Sequence, residues 1–127
     1  MTHKEIKILI SDDHALIRKA LKAVLNSWDM RVSAEAENAQ EVFDRLESQK
    51  FDCLVLDISL PGRSGLDILP KIKRKYPELP VLIFSIYPDE QFAPIAIQAG
   101  ASAYLNKACE PERLVRTVRK VVHDRAA

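Results

Sequence analysis

Cys53-Leu54-Val55-Leu56-Asp57 is the stretch that decides the fold. Its first four residues are apolar without a break, the mark of a strand buried on both faces, as in a parallel sheet. It stops at an acid and runs into Leu60-Pro61-Gly62-Arg63-Ser64-Gly65, a loop by its Pro and Gly. Runs of the same kind lie on either side. Ile6-Lys7-Ile8-Leu9-Ile10 comes before it, and Val81-Leu82-Ile83-Phe84 and the shorter Ala103-Tyr104-Leu105 come after it. Arg31 to Ala36 reads as a further short strand.

Between these strands the apolar period becomes helical. Ile17, Ala20, Leu21, Val24 and Leu25 fall on one helix face, with Asp13 as its expected N-cap. Asn38-Ala39-Gln40-Glu41 has the form of a capping box opening a helix through Leu46. Ser64 and Asp67 form a cap signature for a helix carrying Leu66, Leu69, Ile72 and Lys73, with Pro70 in its early turns. A helix over 89–99 ends at Gly100 and contains Pro94, which is expected to weaken or kink it. Pro111 is the expected first residue of a last helix with a stripe of Leu114, Val115, Val118, Val121 and Val122. Trp28 reads as packing at the end of the first helix, Cys53 as a core residue and Cys109 as a loop residue. Five β/α units of this kind predict an α/β domain over 1–127, a parallel sheet with helices on both faces.

Composition agrees. A chain of 127 residues is one domain's worth, and 47% hydrophobic residues suffice for one core. Nineteen Lys and Arg against eighteen Asp and Glu leave a net charge of +1, no global reason to bind nucleic acid or an anionic membrane. No apolar run approaches the ~18 residues that span a bilayer. The N-terminus carries no secretory apolar region. Two cysteines without metal-ligand spacing fit a reducing cytoplasm. Three glycines are too few for a glycine-rich dinucleotide loop.

In an open parallel sheet, ligands bind at the carboxyl ends of the strands. There the sequence puts Ser11, Asp12 and Asp13 after the first strand and Asp57 after the third. Ser85 follows the fourth, and Asn106 and Lys107 the fifth. Carboxylates gathered in one small site raise one another's pKa values. A hard divalent cation relieves that repulsion, and Mg²⁺ is held by one or two carboxylates with waters and phosphate oxygens. A carboxylate beside it can act as a nucleophile toward phosphorus, while Lys107 and Ser85 suit phosphoryl oxygens. The chemistry implied is phosphoryl transfer to an aspartate. His14 reads as a solvated residue at a helix start, and Arg113, Arg116, Arg119 and Lys120 as a solvated basic face or a partner surface.

Taken in order, Asp12-Asp13, Asp57, Pro61-Gly62, Gly65, Ser85, Tyr104 and Lys107 resemble the receiver domain of bacterial two-component response regulators. The stretches Asp13-His14-Ala15-Leu16-Ile17-Arg18 and Gly100-Ala101-Ser102-Ala103-Tyr104-Leu105-Asn106-Lys107 look most like the NarL/FixJ (LuxR-type) subgroup. The resemblance implies a flavodoxin-like, doubly wound (βα)5 fold. It implies Asp57 as phosphoacceptor, with Asp12, Asp13, Asp57 and the backbone carbonyl of Ser59 around Mg²⁺. Lys107 would pair with the phosphoryl group, Ser85 would move to hydrogen-bond it, and Tyr104 would change rotamer as Ser85 moves. The bland reading of Tyr104 is half-buried packing. A sensor histidine kinase is the implied donor, with acetyl phosphate as a small substitute. Homodimerisation on phosphorylation is implied, as is DNA binding only through an output domain outside this chain. No membrane partner is implied, and the expected location is the cytoplasm.

Two departures and three rivals accompany the resemblance. Ala108 follows Lys107 where many receivers have Pro, so that peptide is expected trans. Ile86 is bulkier than the residue often found after the switch hydroxyl, a size expected to hinder Tyr104 from turning inward. An aspartyl-phosphate hydrolase of the haloacid dehalogenase kind would want a second Asp where Ser59 stands. A flavodoxin-like cofactor binder would want a hydroxyl- and glycine-rich loop where the acidic Asp12-Asp13 stands. A pseudo-receiver, folded but not phosphorylated, would be an interaction module.

Overall fold

The computed structural model describes residues 5–27 and 29–125; Trp28 and Ala126-Ala127 lie outside them. Strands and helices alternate along the chain. They are β1 (Ile6–Ser11), α1 (Ala15–Leu25), β2 (Met30–Ala36), α2 (Ala39–Ser48) and β3 (Cys53–Leu56), followed by α3 (Gly65–Lys75), β4 (Val81–Ser85), α4 (Asp89–Gln98), β5 (Ala103–Asn106) and α5 (Pro111–Arg125). All strand pairs are parallel, in the order β2-β1-β3-β4-β5. That is the flavodoxin-like order, whose direction reverses between β1 and β3 and opens a crevice at their carboxyl ends.

Period-two alternation sorts the strand residues onto two cores. Ile8, Ile10, Cys53, Val55, Leu82, Phe84 and Leu105 face α1 and α5. Leu9, Leu54, Leu56, Val81, Ile83 and Tyr104 face α2, α3 and Ala96 of α4. The central strands are therefore buried on both sides, as their unbroken apolar runs require. Cys53 is fully buried, which pushes its thiol up to about 12 and leaves it chemically quiet.

The caps divide. Asn38 accepts the Glu41 N–H at 2.9 Å and Ser64 accepts the Leu66 N–H at 3.1 Å, as their spacing predicts. Asp13 does not cap α1. His14 occupies that position and makes no side-chain cap bond, and its own N–H donates to the Asp12 carboxylate at 2.9 Å. Ala20 is exposed, so the buried face of α1 is narrower than its apolar pattern. β2 begins one residue earlier than expected and carries an irregularity opposite Ile8/Leu9. α4 runs unbroken through Pro94, which cannot donate to Glu90, and Pro70 likewise sits past the first turn of α3. α4 gives way at Gly100, whose φ of +117° suits a residue without a Cβ. Val115 and Val122 are only partly buried at the margin of the α5 stripe.

Two tertiary ties have measurable consequences. Gly65, the first residue of α3, backs directly onto the Asp57 peptide, and a Cβ there would run into the Asp57 carbonyl oxygen. Gly65→Ala is expected to cost about 1–3 kcal/mol in urea unfolding, since backbone rather than a flexible side chain must yield. Arg119 on α5 grips Asp29 with bonds of 2.6 and 2.8 Å. This pairing, stronger than the opposing burial, lowers the Asp29 carboxyl from 3.8 to about 2. A lowered folded-state pKa contributes stability above pH 3.8 that is lost as pH falls through about 2. The stability gap between the wild type and Arg119→Gln should therefore close between those pH values in denaturant titrations.

Candidate functional site

The expected residues meet at the carboxyl edge of the sheet. β1 delivers Asp12, whose N–H donates to the Ala36 carbonyl at 3.0 Å. β3 delivers Asp57, whose N–H donates to the Ser11 carbonyl at 3.2 Å. The loop after β5 delivers Lys107, whose N–H donates to the Ser85 carbonyl at 2.8 Å. Each residue thus extends the ladder of its own strand by one bond to the neighbouring strand. Asp12 is 1% exposed and Asp57 3%.

The Lys107 ammonium lies between the two carboxylates. It donates to Asp12 Oδ2 at 2.6 Å and to Asp57 Oδ2 at 3.1 Å. The remaining oxygens are held by backbone. Asp12 Oδ1 accepts the His14 N–H at 2.9 Å, and Asp57 Oδ1 accepts the Ser59 N–H at 3.2 Å. No cis peptide occurs among the described residues, so Lys107-Ala108 is trans as expected. Asn106 Oδ1 accepts the Ala108 N–H at 2.9 Å and shapes this turn in place of a proline.

One ammonium does not satisfy two buried acids equally. Burial pushes both carboxyls up. For Asp12 the short bond from Lys107 and the His14 N–H outweigh burial and hold it below the usual range. For Asp57 burial wins over Lys107, and the negative charge of Asp12 adds to it, so Asp57 stands above the usual range. Burial opposes the charge on Lys107, but its bond to Asp12 and the nearby Asp57 charge hold the ammonium more firmly protonated than usual.

Asp13 adds a further carboxylate beside Asp12. Ligand atoms of Asp12, Asp13 and His14 lie within 4.8 Å of one another. His14 is exposed as expected, yet its Nδ1 lies 3.1 Å from Asp12 Oδ1 and 3.0 Å from Asp13 Oδ1. The donor set is oxygen-rich, partly open and short of positive charge, which fits a hard divalent cation.

Ser85 and Tyr104 are linked through a residue the sequence reading missed. Ser85 Oγ, buried at the end of β4, accepts the Tyr87 N–H at 3.1 Å. The Tyr87 carbonyl accepts the Tyr104 hydroxyl at 2.8 Å and the Asn106 amide at 3.2 Å. Its ring stacks on Phe92 of α4, and its hydroxyl accepts from Ser59 Oγ at 3.2 Å. Tyr104 is 8% exposed while Ile86 is 68% exposed. Ile86 faces solvent, and the Tyr104 ring is buried. No pattern of residue types could reveal Tyr87, because its backbone makes most of these bonds.

A groove of about 1020 Å³ lies instead at the amino-terminal end of the strands, lined by Leu46, Phe51 and Tyr76 among others.

Comparison with known proteins adds three findings. Residues 8–119 match the family model described as the response regulator receiver domain. The oxygen regulatory protein NreC of Staphylococcus haemolyticus is 37% identical over 118 residues, which cover 91% of this chain and 54% of that protein. The uncharacterized transcriptional regulatory protein YhcZ of Bacillus subtilis is 34% identical, covering 88% of this chain and 53% of that protein. The chain thus spans about half the length of the curated relatives it matches. Among solved structures, a LuxR-family two-component response regulator from Aurantimonas sp. SI85-9A1 superposes with a TM-score of 0.90 at 28% identity. It covers 95% of this chain and 87% of that one.

The unequal sharing of Lys107 predicts opposite effects of two substitutions. Lys107→Met leaves two buried carboxylates unpaired and should cost about 3–5 kcal/mol in urea unfolding. Asp57→Asn removes the less favoured charge and should raise stability in urea unfolding at neutral pH. Because the folded-state Asp57 carboxyl stands above its usual value, that advantage should shrink as falling pH protonates Asp57 in the wild type. An Asp57→Asn protein less stable than the wild type would contradict this electrostatic account.

Proposed function

The chain belongs to the response regulator receiver family, and from that premise we propose that it is a phosphorylation-dependent switch whose phosphoacceptor is Asp57. The observation that carries the reading is the Asp57 carboxylate, buried at the end of β3 and only partly compensated by a Lys107 it shares with Asp12. An Asp57 oxygen attacks the phosphorus of a phosphohistidine on a sensor histidine kinase, or of acetyl phosphate. The O–P bond forms as the bond to the leaving group breaks; the histidine imidazole leaves with a proton taken from solvent, and acetate leaves as the anion. Lys107 turns from the carboxylates to the phosphoryl oxygens. Asp12, Asp13, Asp57 and the backbone carbonyl of Ser59 are the proposed holders of Mg²⁺, which when bound neutralises charge on the phosphoryl oxygens.

The Ser85 hydroxyl accepts the Tyr87 N–H and still has its own proton to donate, and moving toward a phosphoryl oxygen exchanges part of the first contact for the second. That exchange alters the loop from which Tyr104 and Asn106 hang, and Tyr104 is the aromatic whose rotamer follows. The phosphoryl group shifts the domain only as far as it binds one arrangement better than the other. The domain over 1–127 is a signalling module rather than a metabolic enzyme, with self-catalysed phosphorylation and dephosphorylation. We propose a cytoplasmic location, dimerisation on phosphorylation, and DNA binding through an output domain beyond these residues. No helix among the described residues is long and apolar enough to cross a membrane.

Incubation with acetyl phosphate and Mg²⁺ should add one phosphoryl group, about 80 Da by intact mass. The gain should disappear in Asp57→Asn and with EDTA. A gain that survives Asp57→Asn would place the acceptor elsewhere. No gain, together with no binding of beryllofluoride, would turn the reading to an unphosphorylated interaction module.

A further inference from the structure

Of the three carboxylates at the edge, Asp13 has the least direct support. Asp12 and Asp57 are each held by Lys107 and a backbone N–H. Asp13 is partly exposed, and its Oδ1 lies 3.0 Å from Nδ1 of the exposed His14 ring. Where its side chain starts is set by the peptide joining it to Asp12, so whatever fixes that peptide positions the carboxylate.

Arg18 does this from α1. Its Nη1 donates to the Asp12 carbonyl oxygen at 2.7 Å, and that oxygen belongs to the Asp12-Asp13 peptide. The guanidinium is only 15% exposed and is itself held from β2. Its Nε donates to Glu35 Oε1 at 3.0 Å, and its Nη2 lies 3.7 Å from Glu37 Oε2. Glu35 is steadied in turn by Lys22 Nζ at 2.8 Å, and these contacts hold its carboxyl below the usual range. The planar fork of a guanidinium can satisfy a carbonyl and a carboxylate at once, which a lysine cannot do with the same geometry.

We propose that Arg18, braced by Glu35, is a positioning residue for the cation. It orients the Asp12-Asp13 peptide so that the Asp13 carboxylate is preorganised with those of Asp12 and Asp57. Arg18 touches neither the cation nor the phosphoryl group. Its own charge is offset by Glu35 and Glu37, so its contribution is orientation rather than repulsion of the metal. The inference rests on the proposed role of Asp12, Asp13 and Asp57 as cation holders. Partners of metal ligands commonly matter at the level of ten- to a hundredfold in affinity.

The test is Mn²⁺ binding to the unphosphorylated full chain, read from the loss of the free-ion electron paramagnetic resonance signal. Arg18→Met, which keeps the apolar stem, should weaken binding about tenfold. Glu35→Gln should weaken it by less, and Glu37→Gln should leave it within about twofold. Arg18→Lys should unfold in urea close to the wild type yet bind Mn²⁺ nearly as weakly as Arg18→Met, a split that loss of packing alone would not produce. Should Arg18→Met fail to fold, Arg18→Lys and Glu35→Gln carry the test. Binding equal to the wild type in Arg18→Lys, or in both Arg18→Met and Glu35→Gln, overturns the proposal. No Mn²⁺ binding by the wild type would overturn the cation site itself, and this inference with it.

Discussion

One ammonium shared by two buried carboxylates governs the carboxyl edge of this domain. Lys107 reaches Asp12 and Asp57 across the carboxyl ends of β1, β3, β4 and β5, and it does so because Asp12, Asp57 and Lys107 each follow a strand at the same edge of the sheet. The acids would repel each other without it. With it, the compensation is uneven, and the excess negative charge sits where Asp13 also opens to solvent. A site of that kind is not a stable endpoint. It is arranged to accept positive charge, and a reacting group that brings its own oxygens would draw Lys107 away.

The fold supplies the rigidity that this imbalance needs. Both faces of the central strands are packed, and the site residues extend the strand ladders rather than hang from long loops. Gly65 brings the start of α3 against the Asp57 backbone, so Asp57 is supported from behind as well as from the sheet. The more adjustable side of the edge is the β4–α4 loop. There Tyr87 gathers bonds from Ser85, Tyr104, Asn106 and Ser59, and α4 follows with an internal proline and no side-chain cap. Rigid acids thus stand beside a loop that can exchange partners.

Much of this was legible in the residues, for identifiable reasons. A strand buried on both faces can carry few polar side chains, so Cys53–Leu56 and Val81–Ser85 announce themselves and the acid or hydroxyl at their ends stands out. Asn38 and Ser64 could be read as caps because their side chains have no competing role. Asp13 could not, because the helix begins one residue later than its pattern suggests, with His14 at the cap position. Residue size alone could not give the direction of Ile86, whose side chain faces solvent. Tyr87 and Arg18 escaped for a shared reason: one works mainly through its backbone and the other through a bond to a carbonyl, and neither leaves a trace in residue type.

The central claim is that Lys107 compensates Asp12 well and Asp57 poorly. Carboxyl ¹³C chemical shifts of the aspartates, followed through an acid titration in the absence of divalent cations, would read both groups separately. The account predicts that Asp12 titrates below the ordinary value of 3.8 and Asp57 above it, and that Mg²⁺ moves the Asp57 transition downward. An Asp57 carboxyl that titrates below 3.8 without any cation would mean that Lys107 already satisfies it, and the account would be wrong.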